Sequence, residues 1–191
     1  SFDFLDPFCD NSSDDHRENP IILVHGYMSS PGTFNLMKKN LESSGHRNVY
    51  LISLEKNKIA AFGNIHTYAD LLAKRIEDIS QKNGNKPTSV VAHSMGGLVA
   101  TLAMRILGDK KDNLEVKFNH FVTIGSPLNG TIIADIANFI LRGSDNSLEQ
   151  MCRYSEITKT AISYINTGLT LQNTNVLHIG GREDFVVPQA S

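Results

Sequence analysis

The sequence predicts an α/β layer fold in one domain, with a doubly wound parallel sheet packed between helices. The chain has 191 residues, of which 40% are hydrophobic and 20% charged, and this is the size and composition of an ordinary globular domain. Short apolar runs alternate along the chain with segments whose apolar residues repeat at helical spacing. Such alternation is typical of parallel strands joined by right-handed crossover helices.

The predicted strands are short apolar runs of the kind that strands buried on both faces show. We expect an exposed polar arm over residues 1–20, followed by the domain over residues 21–191, because the first twenty residues are polar and rich in turn formers. The predicted strands cover residues 21–24, 49–54, 89–92, 121–124 and 176–179.

Three segments between these strands show the spacing of amphipathic helices. Gly45 stands where glycine commonly ends a helix, and the third segment runs up to Gly108. The apolar positions are Phe34, Met37 and Leu41 in the first segment, Tyr68, Leu71, Leu72, Ile76 and Ile79 in the second, and Leu98, Val99, Leu102, Ala103 and Ile106 in the third.

Composition excludes several classes of function. A formal charge of −2 lacks the basic surplus that nucleic-acid binding usually requires, and the longest apolar run, residues 21–24, is too short to cross a bilayer. No phosphate-binding loop, GxGxxG motif or metal-ligand spacing occurs, so we expect neither a cofactor nor a metal.

Cys9 and Cys152 lie far apart in the sequence, and whether they form a long-range disulfide stays an open question. The start at Ser1 without a leader predicts a processed or partial product, and we favour a secreted or periplasmic location over a cytoplasmic one.

The candidate chemistry lies where the third predicted strand runs directly into a helix, in Ala92-His93-Ser94-Met95-Gly96-Gly97. A serine hydroxyl is a weak nucleophile, so it has to stand on a sharp turn that a base can reach. Ala92 and Gly96 are small enough to give the backbone room for such a turn. The motif and its context therefore predict Ser94 as a nucleophile.

This stretch resembles the nucleophile elbow of the α/β-hydrolase fold, and within it that of the bacterial lipases and esterases. The resemblance extends from Ile21 to the last residue and implies a serine carboxylic-ester hydrolase that forms an acyl-enzyme on Ser94. It implies the backbone N–H groups of Tyr27 and Met95 as the oxyanion hole. The implied substrate is a small-molecule or lipid ester, with transient contact with a lipid surface.

His25, just before Gly26 and Tyr27, is more simply interpreted as a residue that braces the loop, and His93 as part of the elbow turn. The segment Gly180-Gly181-Arg182-Glu183-Asp184 follows the last predicted strand and resembles the acid position of the family. It implies Asp184 as the carboxylate that orients the base, with Glu183 as the alternative.

The base histidine is not found where the family has it, because residues 185–191 contain no histidine. The last strand and helix of the family fold are likewise not found after Asp184. Three explanations stay open. The first is that the chain is part of a longer protein. The second is that an upstream histidine folds into the site, and His66 is the histidine least committed to a predicted strand or turn. The third is that the protein is an inactive relative that binds lipid or acyl ligands. A thioesterase or an acyltransferase that uses the same elbow is a further alternative.

A long connection separates the last two predicted strands. The turn Gly125-Ser126-Pro127-Leu128-Asn129-Gly130-Thr131 resembles one found in lipases, and residues 128–172 are expected to form a helical insertion. Its apolar residues at helical spacing are Ile132, Ile136, Phe139 and Ile140, then Ile157, Ala161 and Ile165. Two interpretations stay open: a lid over an acyl-binding cleft, and an ordinary helix packed on the sheet.

Overall fold

A computed structural model of the chain describes residues 16–26, 31–53, 65–110, 116–126, 156, 159–168 and 173–180. Its strands form one parallel sheet of five strands in the order β2-β1-β3-β4-β5, which confirms the predicted doubly wound α/β layer. The strands are β1 (Ile21–His25), β2 (Val49–Ser53), β3 (Thr88–His93), β4 (Phe118–Ile124) and β5 (Asn175–Ile179).

Helices lie on both faces of the sheet, as the periodicity of the sequence predicts. The described helices are α1 (Pro31–Ser43), α2 (Ile65–Lys82) and α3 (Met95–Gly108). Ile22 and Val24 pack in the larger core with α2 and α3, whereas Leu23 packs on the other face with Phe34 of α1. Successive residues of β1 therefore point to opposite faces, and both faces are covered at the centre of the sheet.

The end of α1 confirms Gly45 as its cap. Gly45 has a φ of 95° and its N–H donates to the carbonyl of Glu42, while the N–H of His46 donates to the carbonyl of Leu41. These two bonds form a Schellman motif, in which glycine takes the left-handed conformation without strain.

Strand β4 begins three residues before the predicted run, at Phe118 instead of Phe121. Thr88 of β3 is opposite Phe118, but Val90 is opposite Phe121, so three residues of β4 oppose two of β3. This bulge places Phe118 and Phe121 both in the core, whereas His120 is exposed. The polar residues between the two phenylalanines concealed the start of the strand from the apolar pattern.

The described end of the arm, residues 16–20, is joined to the connection between α1 and β2. The Arg47 guanidinium pairs with the Glu18 carboxylate, and Asn48 Nδ2 donates to the carbonyl of Glu18 at 2.7 Å. The prediction of an exposed arm over residues 1–15, together with Cys9, lies outside the described residues.

Part of the predicted insertion is also described. Residues 159–163 are helical and continue into a π-helix, Tyr164–Gly168. Ala161 and Ile165 are buried in the larger core, and Tyr164 Oη donates to the carbonyl of Met104 in α3 at 3.0 Å. This portion therefore packs on α3. Residues 128–155, with Cys152, lie outside the described residues, and the lid stays a prediction.

Candidate active site

Ser94 stands on a strained turn between β3 and α3. Its φ is 53° and its ψ is −134°, a combination that costs a residue with a side chain roughly 1–3 kcal/mol and persists only where the surroundings enforce it. The Ser94 N–H donates to the carbonyl of Ile124 at 2.9 Å, and the Gly97 N–H donates to the carbonyl of Ser94 at 3.0 Å. Backbone hydrogen bonds on both sides thus fix the turn that the sequence predicts as a nucleophile elbow.

Two glycines leave room for this turn. A Cβ at Gly26 would lie 2.4 Å from the carbonyl oxygen of His93 and 3.1 Å from Ser94 Cβ. A Cβ at Gly96 would lie 3.0 Å from the carbonyl oxygen of Val24. The end of β1 and the start of α3 therefore lie so close together that only glycine fits at position 26.

Two histidines, one before Gly26 and one before Ser94, face the ring of Phe34. His25 and His93 each make an edge-on contact with Phe34, with ring centroids 6.0 Å and 6.3 Å away respectively. His25 is buried, and neither of its ring nitrogens has a hydrogen-bond partner among the described residues. Both rings therefore pack against the same aromatic side chain of α1.

A second serine lies directly against α3 on the side of β4. A Cβ at Gly97 would be 2.2 Å from Ser126 Oγ and 3.5 Å from the methyl group of Thr123. Ser126 is 5% exposed, and its hydroxyl has no hydrogen-bond partner in the described part of the chain. The sequence singles out the turn that contains Ser126 but predicts no role for this hydroxyl.

The end of β5 is attached to β4 by a side-chain pair that the sequence does not predict. Thr123 Oγ1 and His178 Nδ1 are 2.6 Å apart, and the register of the two parallel strands places these residues opposite each other. Partial burial of the ring lowers the pKa of His178, because a charged imidazolium loses hydration there. The Gly125 N–H also donates to the carbonyl of Ile179 at 2.8 Å.

Several predicted site residues lie outside the described residues. They include Tyr27, which is predicted to supply one N–H of the oxyanion hole, and Asp184 and its alternative Glu183. Met95 is described as the buried first residue of α3, directly after Ser94. Among the described residues no histidine nitrogen is hydrogen-bonded to Ser94 Oγ, and His66 is an exposed residue in the first turn of α2.

A serine–histidine pair lies at the end of the sheet opposite to Ser94. Ser89 Oγ and His120 Nδ1 are 3.3 Å apart near the amino ends of β3 and β4. Ser89 lies inside strand β3, opposite the bulge in β4, so this pair lacks the strand-to-helix turn on which Ser94 stands.

Within the described ranges, no group of three or more His, Cys, Asp and Glu residues is placed to hold a metal ion. Among the helices described, none combines the length and apolar character that a membrane span requires.

The chain matches the family described as "Putative serine esterase (DUF676)" over residues 15–166. A protein of Saccharomyces cerevisiae named "Probable alcohol acetyltransferase" is 28% identical over 86 residues, which are 44% of this chain and 25% of that protein.

Two solved structures are similar in fold. Phospholipase PlaB from Legionella pneumophila has a TM-score of 0.58 at 16% identity, covering 86% of this chain and 38% of that one. The Bacillus licheniformis lipase BlEst2 has a TM-score of 0.56 at 19% identity, covering 84% of this chain and 64% of that one. The chain thus has the α/β-hydrolase fold that the elbow predicts, and it spans less than two thirds of the length of each of these relatives.

Proposed function

Because this chain belongs to the DUF676 family of serine esterases, we propose that it is a serine carboxylic-ester hydrolase that acts through an acyl-enzyme on Ser94. The observation that carries the proposal is the conformation of Ser94, a strained residue at the junction of β3 and α3. Strain of this kind is typical of functional sites, and here it coincides with the strand–serine–helix arrangement of a nucleophile elbow.

In the proposed reaction, a histidine base takes the proton of Ser94 Oγ as this oxygen attacks the acyl carbon. The carbonyl oxygen becomes an oxyanion, which accepts hydrogen bonds from the backbone N–H groups of Met95 and Tyr27. The protonated base gives its proton to the departing alcohol. Water then attacks the acyl-enzyme and gives a proton to the base, and the base returns a proton to Ser94 Oγ as the acid leaves. We assign Asp184 to orient this histidine. The histidine itself is not assigned to a residue of the sequence.

Met95 N–H suits its role because it belongs to the first turn of α3. The N–H groups of a first helical turn have no acceptor within the helix, and the helix dipole adds a partial positive charge there. An anion that forms next to Ser94 is therefore stabilised by donors that are already oriented.

The substrate that we propose is an ester with a sizeable apolar acyl group, bound with transient contact with a lipid surface. The helical insertion predicted over residues 128–172 supports this proposal, since its apolar residues repeat at helical spacing and an apolar helix of this kind could cover an acyl chain as a lid. Hydrolysis rates across a series of p-nitrophenyl esters should rise from acetyl to longer acyl chains if the proposal is correct.

Acyl transfer to an alcohol is the second candidate, because the yeast protein with 28% identity over 86 residues is named an alcohol acetyltransferase. The acyl-enzyme would be the same, and an alcohol would replace water as the acceptor. Adding an alcohol to the ester assay and measuring the ratio of new ester to free acid separates the two activities.

The proposal is tested by replacing Ser94 and Ser89 separately with alanine. Ser94→Ala should lower kcat of ester hydrolysis by about 10⁴-fold or more, because the nucleophile is lost. Ser89→Ala is the matched control, since Ser89 lies on β3, the strand that leads to Ser94, and has a histidine nitrogen 3.3 Å away. Equal activity of Ser94→Ala and the parent protein would refute the proposal, and loss confined to Ser89→Ala would move the nucleophile to Ser89.

A further inference from the structure

Phe34 of α1 connects the ends of the two strands that lead into the candidate site. Its side chain is 1% exposed, and its ring makes edge-on contacts with the rings of His25 and His93, at centroid distances of 6.0 Å and 6.3 Å. His25 is the last residue of β1, and His93 is the last residue of β3. One aromatic side chain therefore contacts the carboxyl ends of both strands.

These contacts follow from the alternation of side chains along the strands. Leu23, Phe34 and Val49 form a smaller core on the α1 face of the sheet. His25 comes two residues after Leu23 in β1, so its side chain points to the same face. Strands β1 and β3 are parallel neighbours, and their register brings the last residues of the two strands to the same level. The rings of His25 and His93 thus lie next to each other beneath α1.

Each of these histidines comes directly before a residue of the close contact between β1 and the elbow. Gly26 follows His25, and Ser94 follows His93. A Cβ at Gly26 would collide with the carbonyl oxygen of His93 and would lie 3.1 Å from Ser94 Cβ. A small displacement of either strand end would therefore change the separation of Gly26 and Ser94.

The ring of Phe34 is suited to hold the two strand ends in place. Packing orients the buried His25 ring, because neither of its nitrogens has a hydrogen-bond partner among the described residues. Edge-on contacts between aromatic rings are favourable and have a preferred geometry. Protein interiors are close-packed, so loss of the Phe34 ring would leave space into which the two histidines can move.

We infer that Phe34 is a positioning residue of the esterase proposed above: by packing against the two histidine rings, it sets the separation of Gly26 and Ser94. The inference rests on that proposed function. The backbone N–H groups assigned to the oxyanion belong to the residues that directly follow Gly26 and Ser94, so the spacing of these donors depends on the same separation. Because the Phe34 side chain is buried, it acts through the histidines and not by contact with the substrate.

Loss of the ring should lower kcat and leave KM nearly unchanged. Hydrogen bonds to an oxyanion form only as the transition state is approached, so misplaced donors slow the chemical step without weakening substrate binding. A misplacement of about 1 Å can lower a rate by about 100-fold. We expect kcat of Phe34→Leu to be about 30-fold below that of the parent protein, with KM within about twofold.

The experiment measures kcat and KM of ester hydrolysis, the rate at which a fluorophosphonate modifies Ser94, and thermal unfolding. Phe34→Leu and Phe34→Ile both replace the ring with an aliphatic side chain, and either one suffices if the other does not fold. Val49→Ala is the matched control, because Val49 belongs to the same smaller core but lies opposite Ile21, at the other end of β1 from His25.

All three variants should have a lower thermal midpoint than the parent protein, since each loses buried apolar contacts. Their activities are therefore compared at a temperature at which every variant is folded. Val49→Ala should keep the parental kcat and labelling rate, because its side chain is remote from the two histidine rings.

The outcomes separate this inference from the proposed function. Rapid labelling of the parent, with kcat and labelling rate about 30-fold lower in the Phe34 variants at unchanged KM, supports the inference. A folded Phe34 variant whose kcat is within about twofold of the parent value overturns the role of Phe34 and leaves Ser94 as the nucleophile. An equal loss of kcat in Val49→Ala, or a loss that appears only as a higher KM, overturns that role as well. A parent protein that is not labelled at Ser94 overturns both.

Discussion

At the scale of single residues, Gly26 lies where no larger side chain fits. Gly26→Ala would place a Cβ 2.4 Å from the carbonyl oxygen of His93, and a backbone oxygen cannot move away as a flexible side chain can. We expect an unfolding free energy lower by about 1–3 kcal/mol. Because the displaced backbone includes the residue before Ser94, we also expect kcat to fall by about 100-fold or more.

Gly84→Ala is the control for this prediction. Gly84 has a φ of 68° and no heavy atom within 4 Å of a Cβ built there, so alanine meets only backbone strain. It should lower the unfolding free energy by about 1–2 kcal/mol and leave kcat unchanged. Chemical denaturation and ester hydrolysis of both variants check the pair, and full activity in Gly26→Ala would contradict the role assigned to Gly26.

His178 should make the stability of the protein depend on pH. Partial burial lowers its pKa in the folded state below the ordinary value of 6.5, so the unfolded state binds its proton first as the pH falls. The contribution of His178 to stability is complete above about pH 6.5 and is lost as the pH falls toward the folded pKa.

The check is chemical denaturation of the parent protein and of His178→Gln across this range of pH. The variant should show a smaller loss of unfolding free energy from about pH 7 to about pH 5 than the parent protein shows. Identical losses in the two proteins would mean that His178 is not the group responsible.

Single residues also show where sequence reasoning succeeds and where it stops. The strand-to-helix turn at Ser94 could be predicted, because the small residues around it and the strand before it are adjacent in the chain. The Thr123–His178 hydrogen bond could not, since it joins residues 55 positions apart and depends on the register of β4 and β5. The unpaired hydroxyl of Ser126 likewise depends on how closely β4 approaches α3.

At the scale of elements, α2 shows how one helix divides its residues between core and solvent. Leu72 is 3% exposed in the larger core, whereas its neighbour Leu71 is 56% exposed. Leu72→Ala should lower the unfolding free energy by about 2–5 kcal/mol, because it leaves a cavity. Leu71→Ala, the same change one residue away, should alter it by less than about 0.5 kcal/mol.

Denaturant titration of these two variants measures both values. Equal losses in Leu71→Ala and Leu72→Ala would show that α2 does not present the described face to the sheet. Ester hydrolysis by both variants under conditions where they are folded should match that of the parent protein, since both leucines belong to α2 and not to the elbow.

The strands could be located from the sequence because buried parallel strands are continuous apolar runs. The order of the strands in the sheet was not predicted, since it depends on which runs pair across long connections. The bulge in β4 was not predicted for a local reason, because Asn119 and His120 interrupt the apolar run before Phe121. Periodicity alone cannot separate such an interruption from the end of a strand.

At the scale of the whole molecule, the described sheet is covered at its centre but less so at β5. Leu177 is 55% exposed and Ile179 is 46% exposed, whereas Leu23 of the central strand β1 is fully buried. Leu177 and Ile179 lie opposite Val122 and Ile124 in the register, so these four residues share one face of the sheet. Parallel sheets usually bury both faces, which makes this edge the least shielded part of the described sheet.

The central claim is that Ser94 forms a covalent acyl-enzyme. The most direct measurement is the mass of the full-length protein after treatment with a fluorophosphonate, followed by fragmentation of the modified peptide. The proposal predicts one adduct per chain, located on Ser94, and none in Ser94→Ala. Folded protein that keeps its original mass would contradict the claim and favour a relative that binds acyl ligands without cleaving them. An adduct at Ser89 or elsewhere would also contradict the claim, because it would move the nucleophile away from Ser94.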